Sequence, residues 1–308
     1  MLDPDAFLTE LYAKVDDFDK TLPPDHPAPG LAPALARSEV VTLVIFAQWA
    51  QCASERAFYR YASRHLRSAF PHLPHRTQYN RQVRAVTPVL IAFWRALVPE
   101  LRQPEDLYET LDATAVVVRD SHRRGTGWLA GQADIGFSNR LGWYEGFHLL
   151  ISNQPSGVIT GYGLAPASTK DQPLAESFLA ARHTLTPRRA CVGIQAAVPY
   201  LTDSGFEGVA LHQHWQADYA AAVNTPPKRS AKKNWPKPWR KYLAGLRQIV
   251  ETVNDKLLNA FGLSRERPHC LAGLLARLAA KVALHNFCIW LNRRFKRPHL
   301  AFADLVDW

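Results

Sequence analysis

Three short stretches of this chain each hold one carboxylate in a setting that suits divalent-metal chemistry. They are Leu111-Asp112-Ala113-Thr114, Leu201-Thr202-Asp203-Ser204-Gly205-Phe206 and Arg247-Gln248-Ile249-Val250-Glu251-Thr252. Magnesium takes oxygen ligands and keeps several of its waters, so a few carboxylates suffice to hold it. Two such ions about 4 Å apart activate a nucleophile and stabilise the leaving oxygen of an in-line displacement, the chemistry of phosphoryl transfer. Each acid taken alone also fits a plainer role: a strand-edge acid in water, Asp-Ser-Gly turn chemistry, or a surface Arg–Glu pair on a helix.

The elements that must position these acids can be read around them. Asp112 lies between Tyr108-Glu109-Thr110-Leu111 and Ala113–Val118, a run that predicts a strand over Tyr108–Arg119. Alternation puts Asp112 on one face with Thr110 and Thr114, away from Leu111 and Ala113. An acid in so apolar a segment is costly unless it is paired or metal-bound. Asp203 ends the apolar stretch Val198–Leu201 and precedes a Gly turn. Glu251 lies at the margin of a helical stripe formed by Leu243, Leu246, Val250, Val253, Leu257 and Phe261, with Arg247 one turn before it. Other acids compete less well. Asp134 and Asp171 lie in loop-like surroundings, while Asp255 shares the face of Glu251, and Glu207 is a further alternative. His212 and His214 form an HxH without an evident third ligand, and in a helix they diverge.

Residues 1–100 predict a small helical module. Helices are expected over Asp5–Phe18, from Ser38 to Trp49, over Ser54–Phe70 and over Thr77–Leu97, with a Pro-rich connector at Leu22–Pro33. Arg56, Arg60, Arg64, Arg67, Arg76, Arg81 and Arg84 give this module a basic face, which suits DNA or an ordinary solvated surface. From about residue 107 strands begin. Gly142–Gly163 predicts two strands joined at Asn153–Gly157, followed by a helix over Asp171–Arg182, a buried strand within Ala190–Leu201, a helix over Phe206–Tyr219 and a short strand at Ala220–Thr225. Helices then follow at Trp239–Phe261 and His269–Phe295. The expected fold class is α/β (α+β), a mixed β-sheet flanked by helices.

The 308 residues carry 37 Lys and Arg against 27 Asp and Glu, a formal charge of +10 that favours a polyanionic partner. Much of that excess sits in Pro226–Tyr242, where Lys228, Arg229, Lys232, Lys233, Lys237, Arg240 and Lys241 occur with Trp235 and Trp239 and no acid. Such a stretch can hold a nucleic-acid strand by phosphate contact and stacking, or it can be a solvated basic loop. Four scattered cysteines (Cys52, Cys191, Cys270, Cys288) form neither a CxxC pair nor a disulfide framework. No phosphate loop, GxSxG elbow or GxGxxG run is present. An acidic N-terminus and charge-interrupted apolar stretches predict an intracellular protein without a membrane partner.

Together these motifs resemble the DDE transposases of bacterial insertion sequences, most clearly over residues 107–297. Leu111-Asp112-Ala113-Thr114 resembles the strand of the family's first Asp, Gly146-Phe147-His148-Leu149 its second strand, and Leu164-Ala165-Pro166-Ala167-Ser168 the stretch after the third. Thr202-Asp203-Ser204-Gly205-Phe206 is similar to the second-Asp motif, and Arg247-Gln248-Ile249-Val250-Glu251 to the Arg-x-x-x-Glu helix. His285-Asn286-Phe287 and Asn292 resemble the family's C-terminal helix. The commoner subgroup has a Tyr three residues before that Arg and a Lys seven after the Glu, where this chain has Ala244 and Leu258, with Tyr242 and Lys256 nearby.

The resemblance implies an RNase H-like catalytic domain over residues 101–308, preceded by a helical, DNA-binding region over residues 1–100. Asp112, Asp203 and Glu251 would hold two Mg2+ ions, replaceable by Mn2+, with Arg247 in support. The implied activity is DNA strand cleavage and strand transfer on double-stranded DNA, at element ends and target, by a homodimer during synapsis in the bacterial cytoplasm, associated with the nucleoid. A non-catalytic, DNA-binding repressor copy and a stand-alone RNase H-like nuclease are the alternatives.

Overall fold

The computed structural model describes residues 2–24, 33–49, 52, 54–119, 129, 131–184, 191–194, 198–227 and 235–306. The chain forms two compact units, Met1–Leu97 with Ala272–Trp308, and Val98–Leu271.

The first unit holds α1 (Pro4–Asp19), α2 (Arg37–Trp49), α3 (Glu55–His65), α4 (Arg76–Ala85) and most of α5 (Thr87–Leu101). It also takes in the last helix, α9 (Leu271–Arg294), which the sequence reading had placed with the catalytic region. The reason is the all-round apolar surface of α9, which demands burial on every side. Phe287 packs edge-on to Phe7 of α1 at 5.6 Å between centroids. Lys281 is buried and donates to Gln48 Oε1 of α2 at 2.8 Å, and Arg277 pairs with Glu55 of α3 at 2.5 Å. Among the described residues α9 alone has the length and apolar content of a membrane span, but 83% of that window is buried inside the protein, as befits a core helix.

The expected single helix over Thr77–Leu97 is two. Pro88 has no N–H to bond the Arg84 carbonyl, and the Thr87 hydroxyl donates to that carbonyl instead at 3.0 Å, ending α4 and starting α5. On α3 and α4 the arginines Arg56, Arg60, Arg64, Arg76, Arg81 and Arg84 are all exposed, while Phe58, Ala62, Tyr79 and Val83 are buried.

The second unit is a mixed sheet in the order β5-β4-β3-β1-β6-β7, with β2 pairing to β3. The long strands β1 (Glu109–Arg119), β3 (Gly142–Asn153) and β4 (Ile159–Pro166) are antiparallel neighbours. On the other side of β1, β6 (Tyr200–Leu201) and β7 (Val223–Asn224) run parallel. The single strand expected within Ala190–Leu201 is instead two short ones on opposite sides of the sheet centre, β5 (Cys191–Gly193) against β4 and β6 against β1. β2 (Asp134–Ser138) was not expected, and Asp134 opens it rather than lying in a loop. Its mid-strand Gly136 is required by close packing, since a Cβ there would sit 2.4 Å from the Ala167 carbonyl oxygen.

Among the described residues three helices cover the sheet. On the face carrying Leu111 and Leu150, α6 (Asp171–His183) supplies Leu174 and Phe178, and α7 (Val209–Tyr219) supplies Trp215. Strand alternation turns Asp112 to the opposite face, where it meets α8 (Lys237–Asp255). The helix continues as a π turn over Lys256–Ala260, which buries Leu257 and Leu258. This mixed sheet with helices on both faces is the RNase H-like, α+β arrangement that the sequence implied.

Candidate active site

Parallel pairing places the first two acids side by side. Glu109 pairs with Tyr200 and Thr110 with Leu201, so Asp112 lies two residues further along β1 and Asp203 two residues past the end of β6. Asp203 caps the short turn that follows β6, its side chain accepting from Gly205 N at 2.8 Å. That bond fixes the carboxylate at the strand end.

Asp112 is mostly shielded from water, and its partners are distant. Arg247 Nη2 lies 3.4 Å from Oδ1, and Asn254 Nδ2 lies 3.4 Å from Oδ2, both beyond the range of a strong hydrogen bond. Burial pushes the carboxyl up; Arg247 offsets part of this, the negative charges of Asp203 and Asp171 raise it further, and a hydrogen bond from the Ala113 backbone offsets a little more, leaving it at about 7. A carboxylate left so short of donors is a strong acceptor for added positive charge.

Arg247, Glu251 and Asn254 stand at i, i+4 and i+7 of α8, on one helical face. The residues one turn before and one turn after Glu251 therefore both reach Asp112. Glu251 itself is exposed. The sequence reading gave Arg247 to Glu251 or to a phosphate, whereas here its partner is Asp112.

A further acid lies beside Asp203. Asp171, at the start of α6, is no loop residue: its Oδ2 and the Oδ1 of Asp203 would lie 2.8 and 2.9 Å from a Cβ built on Gly205, so both oxygens border one point. Any side chain at 205 would fill that space. His148 Nε2 lies 3.3 Å from Asp171 Oδ1, and His148 Nδ1 is 3.0 Å from the Thr169 carbonyl, which orients the ring. Burial raises the Asp171 carboxyl, His148 opposes that rise, and Asp203 adds to it. Its signal in sequence was the Asp that follows Ala167-Ser168 and opens a helix.

Asn254 carries no sequence signal of its own, since a neutral amide on a helix face is ordinary. It is 7% exposed, and its Oδ1 is buried with no hydrogen-bond partner among the described residues. An orphaned amide oxygen beside an underfed carboxylate, in a donor set made of oxygens, fits a hard divalent cation. Among the described residues, however, no three Asp, Glu, His or Cys side chains already form a metal-holding group. His212 and His214 do diverge: His212 Nε2 meets the Phe206 carbonyl at 2.9 Å, and His214 pairs with Glu176 and Asp218.

Of the basic stretch, Lys228, Arg229, Lys232 and Lys233 lie outside the described residues. Trp235, Lys237, Trp239 and Lys241 are exposed on the approach to α8 and its first turns, and Arg240 is half-buried. Trp239 packs edge-on to Tyr242 at 6.0 Å between centroids.

No curated protein matches the chain. The family model of the transposase DDE domain matches residues 110–287, a span that holds all three candidate acids, Arg247 and Asn254. A match over more than half of its length shows that the chain belongs to the DDE transposases, DNA-binding phosphoryl-transfer enzymes that use divalent metal ions.

Proposed function

We propose that this transposase cuts DNA at the ends of a bacterial insertion sequence and joins the freed 3′-hydroxyl to target DNA in the same site. Asp112, Asp203 and Glu251 are the metal ligands in this reading, for two Mg2+ ions that Mn2+ can replace. The observation that supports it best is the setting of Asp112: a half-buried acid beside Asp203, touched from either side of Glu251 by Arg247 and Asn254.

Ions bound there would activate the attacking oxygen and stabilise the leaving one. The chain's own residues prepare that site. Asp112, on a central strand, is the rigid ligand. Asp203, capped by its own turn, is the second. Glu251 joins them from solvent by rotation of a long side chain. Arg247 orients Asp112 in the absence of metal and is free to meet a phosphate once metal charge replaces its own. The exposed Lys237, Trp239 and Lys241, with Lys228, Arg229, Lys232, Lys233, Trp235 and Arg240, would grip the strand by phosphate contact and stacking. The exposed arginines of α3 and α4 suit duplex binding by the helices of residues 1–100. Pairing of two element ends calls for a homodimer during synapsis, acting on nucleoid DNA in the cytoplasm.

Replacing Glu251 by Gln keeps the volume and weakens a metal ligand. Binding to element-end DNA is expected to survive while strand cleavage in Mg2+ falls by about a thousandfold, the scale of several kcal/mol of lost transition-state stabilisation. A variant that cuts as fast as the parent would make Glu251 structural and turn attention to Asp171 and Asp255. A parent that binds DNA but never cuts it would favour the repressor reading.

A further inference from the structure

The hairpin of β2 and β3 presents large apolar side chains to solvent: Ile135, Phe137 and Trp143 are 48%, 58% and 68% exposed. Strand register explains why they gather, since Phe137 pairs directly with Trp143 and Ile135 lies on the same face two residues away. The Phe137 and Trp143 rings meet edge to face, at 5.5 Å between centroids and 67° between planes. That geometry leaves much of the indole open. A soluble sheet edge normally carries charge rather than a row of exposed rings, so the patch calls for a partner.

The cleft beneath these rings says what kind. It has a volume of about 590 Å³ and runs from Ile135, Phe137 and Trp143 past Lys170 to Asp171 and Gly205. One end is therefore an aromatic lip, and the other is the point bordered by the Asp171 and Asp203 carboxylates. A void of this size suits one or two nucleotides and is too small for the face of a protein domain. Lys170 is exposed at its wall and offers a cation for a backbone phosphate.

We infer that the β2–β3 hairpin is a stacking platform for an unpaired nucleobase, with Trp143 and Phe137 holding a base that has left the duplex next to the cutting site. Every base has a π face, so such a platform grips a strand end without reading its sequence. The sugar-phosphate on the acid side of the base would follow the cleft toward Asp171 and Asp203, and Lys170 would meet a phosphate on the way. The inference rests on the DNA-cutting reading above, but it concerns side chains other than the proposed metal ligands.

The test uses the full chain in chelator, so that no strand is cut. The probes are a short blunt duplex, the same duplex with an unpaired overhang carrying 2-aminopurine, and the same overhang made abasic. The parent is expected to bind the base-bearing overhang more tightly than the blunt or abasic probe, with quenching of 2-aminopurine fluorescence. Trp143→Ala should weaken overhang binding about five- to a hundredfold, the range for loss of one stacked base, and abolish the quenching. Phe137→Ala should do so to a smaller degree, and blunt-duplex affinity should hold in both. Both side chains are exposed, so thermal melting of the variants should match the parent. Equal binding of all three probes by the parent, with blunt-duplex binding intact, would overturn the platform and leave the function reading standing. A parent that binds no duplex at all would sink the function reading itself. A change of oligomeric state in Trp143→Ala without any change in overhang binding would make the hairpin a contact between copies of the chain, and would equally overturn the inference.

Discussion

Two acids three residues apart on β1 meet opposite fates. Glu109 is buried in a complete network. Arg182 Nη1 donates to Oε2 at 2.6 Å and Nη2 to Oε1 at 2.9 Å, Thr160 Oγ1 adds a bond at 2.8 Å, and Ser152 donates as well. The Arg182 guanidinium is itself fixed by the Ile194 carbonyl and lies over the rings of Phe178 and Tyr200. Burial pushes the Glu109 carboxyl up, but the charge and hydrogen bonds of Arg182, with Ser152 and Thr160, overcome this and hold it below the usual carboxylate range. Asp112 has a guanidinium and an amide at 3.4 Å and two acids nearby, and it is pushed up to about 7. A carboxylate whose lone pairs are filled by the fold serves the fold. One left short of donors costs stability when charged, which suits the metal-ligand role proposed for Asp112.

The sharpest way to break this comparison is to neutralise each acid in turn. Asp112→Asn should lower Mg2+-dependent strand cleavage by about a thousandfold or more, while the chelator-treated protein keeps or gains stability at neutral pH. Cleavage assays and urea unfolding of one preparation check both halves. An Asp112→Asn protein that is strongly destabilised would place Asp112 with Glu109 as a structural acid.

The converse change is Arg182→Met. It strands Glu109 in the core and should cost about 3–5 kcal/mol, the usual penalty for breaking a buried pair from one side. Adding Glu109→Gln should return part of that loss, because the uncompensated charge disappears. Denaturant midpoints for the two single variants and the double variant give the coupling directly. Additive losses would mean that the pair contributes packing only.

The same contrast predicts opposite pH behaviour. The folded Asp112 keeps its proton up to about 7 while the unfolded chain releases it near the ordinary value of 3.8. Folded protein thus binds more protons across that window, and the Asp112 contribution to stability falls as pH rises from about 4 to about 7. The folded Glu109 is lowered, so its contribution is present above its ordinary value of 4.5 and is lost as pH falls below it. In chelator, the stability of Asp112→Asn relative to the parent should grow between pH 4 and 7 and then level off, to a few kcal/mol in all. A difference that is flat across that window would remove the case for an underfed Asp112.

How much of this was legible before the fold was known follows from the range of each interaction. The strands β1, β3 and β4 are long and carry their own alternation or apolar density, so they could be read locally. β2 could not: it has five residues with Gly136 in the middle, and that glycine is explained only by Ala167, which packs against it from the end of β4. β5 and β6 merged into one expected strand because nothing local reports that they join different neighbours. Asp112 stood out as a charge within an apolar strand. Asp171 looked like ordinary helix-start chemistry, and its tie to Asp203 runs through Gly205, far away in sequence. The last helix resembled the family's C-terminal helix, yet its partners lie in α1, α2 and α3 at the other end of the chain.

Asn254 gives the finest test, because it is a neutral case of the same logic. Its Nδ2 makes a long contact to Asp112, and its Oδ1 is buried with no partner among the described residues. Leaving such a group unmade costs about 1–3 kcal/mol, whereas replacing it by an apolar group of similar shape is nearly neutral or stabilising. If Asn254 served the fold, as Ser152 and Thr160 do around Glu109, then Asn254→Leu would weaken the protein. If it is held ready for a cation, the same change should leave stability within about 1 kcal/mol of the parent or raise it. Affinity for Mn2+, read by its electron paramagnetic resonance signal rather than by activity, should then fall several-fold. Asn254→Asp restores an oxygen at the same place and should recover or exceed the parent's Mn2+ affinity, while lowering stability in chelator by adding a further charge beside Asp112. A loss of stability in Asn254→Leu with unchanged Mn2+ affinity would return Asn254 to the fold and confine the proposed metal ligands to Asp112, Asp203 and Glu251.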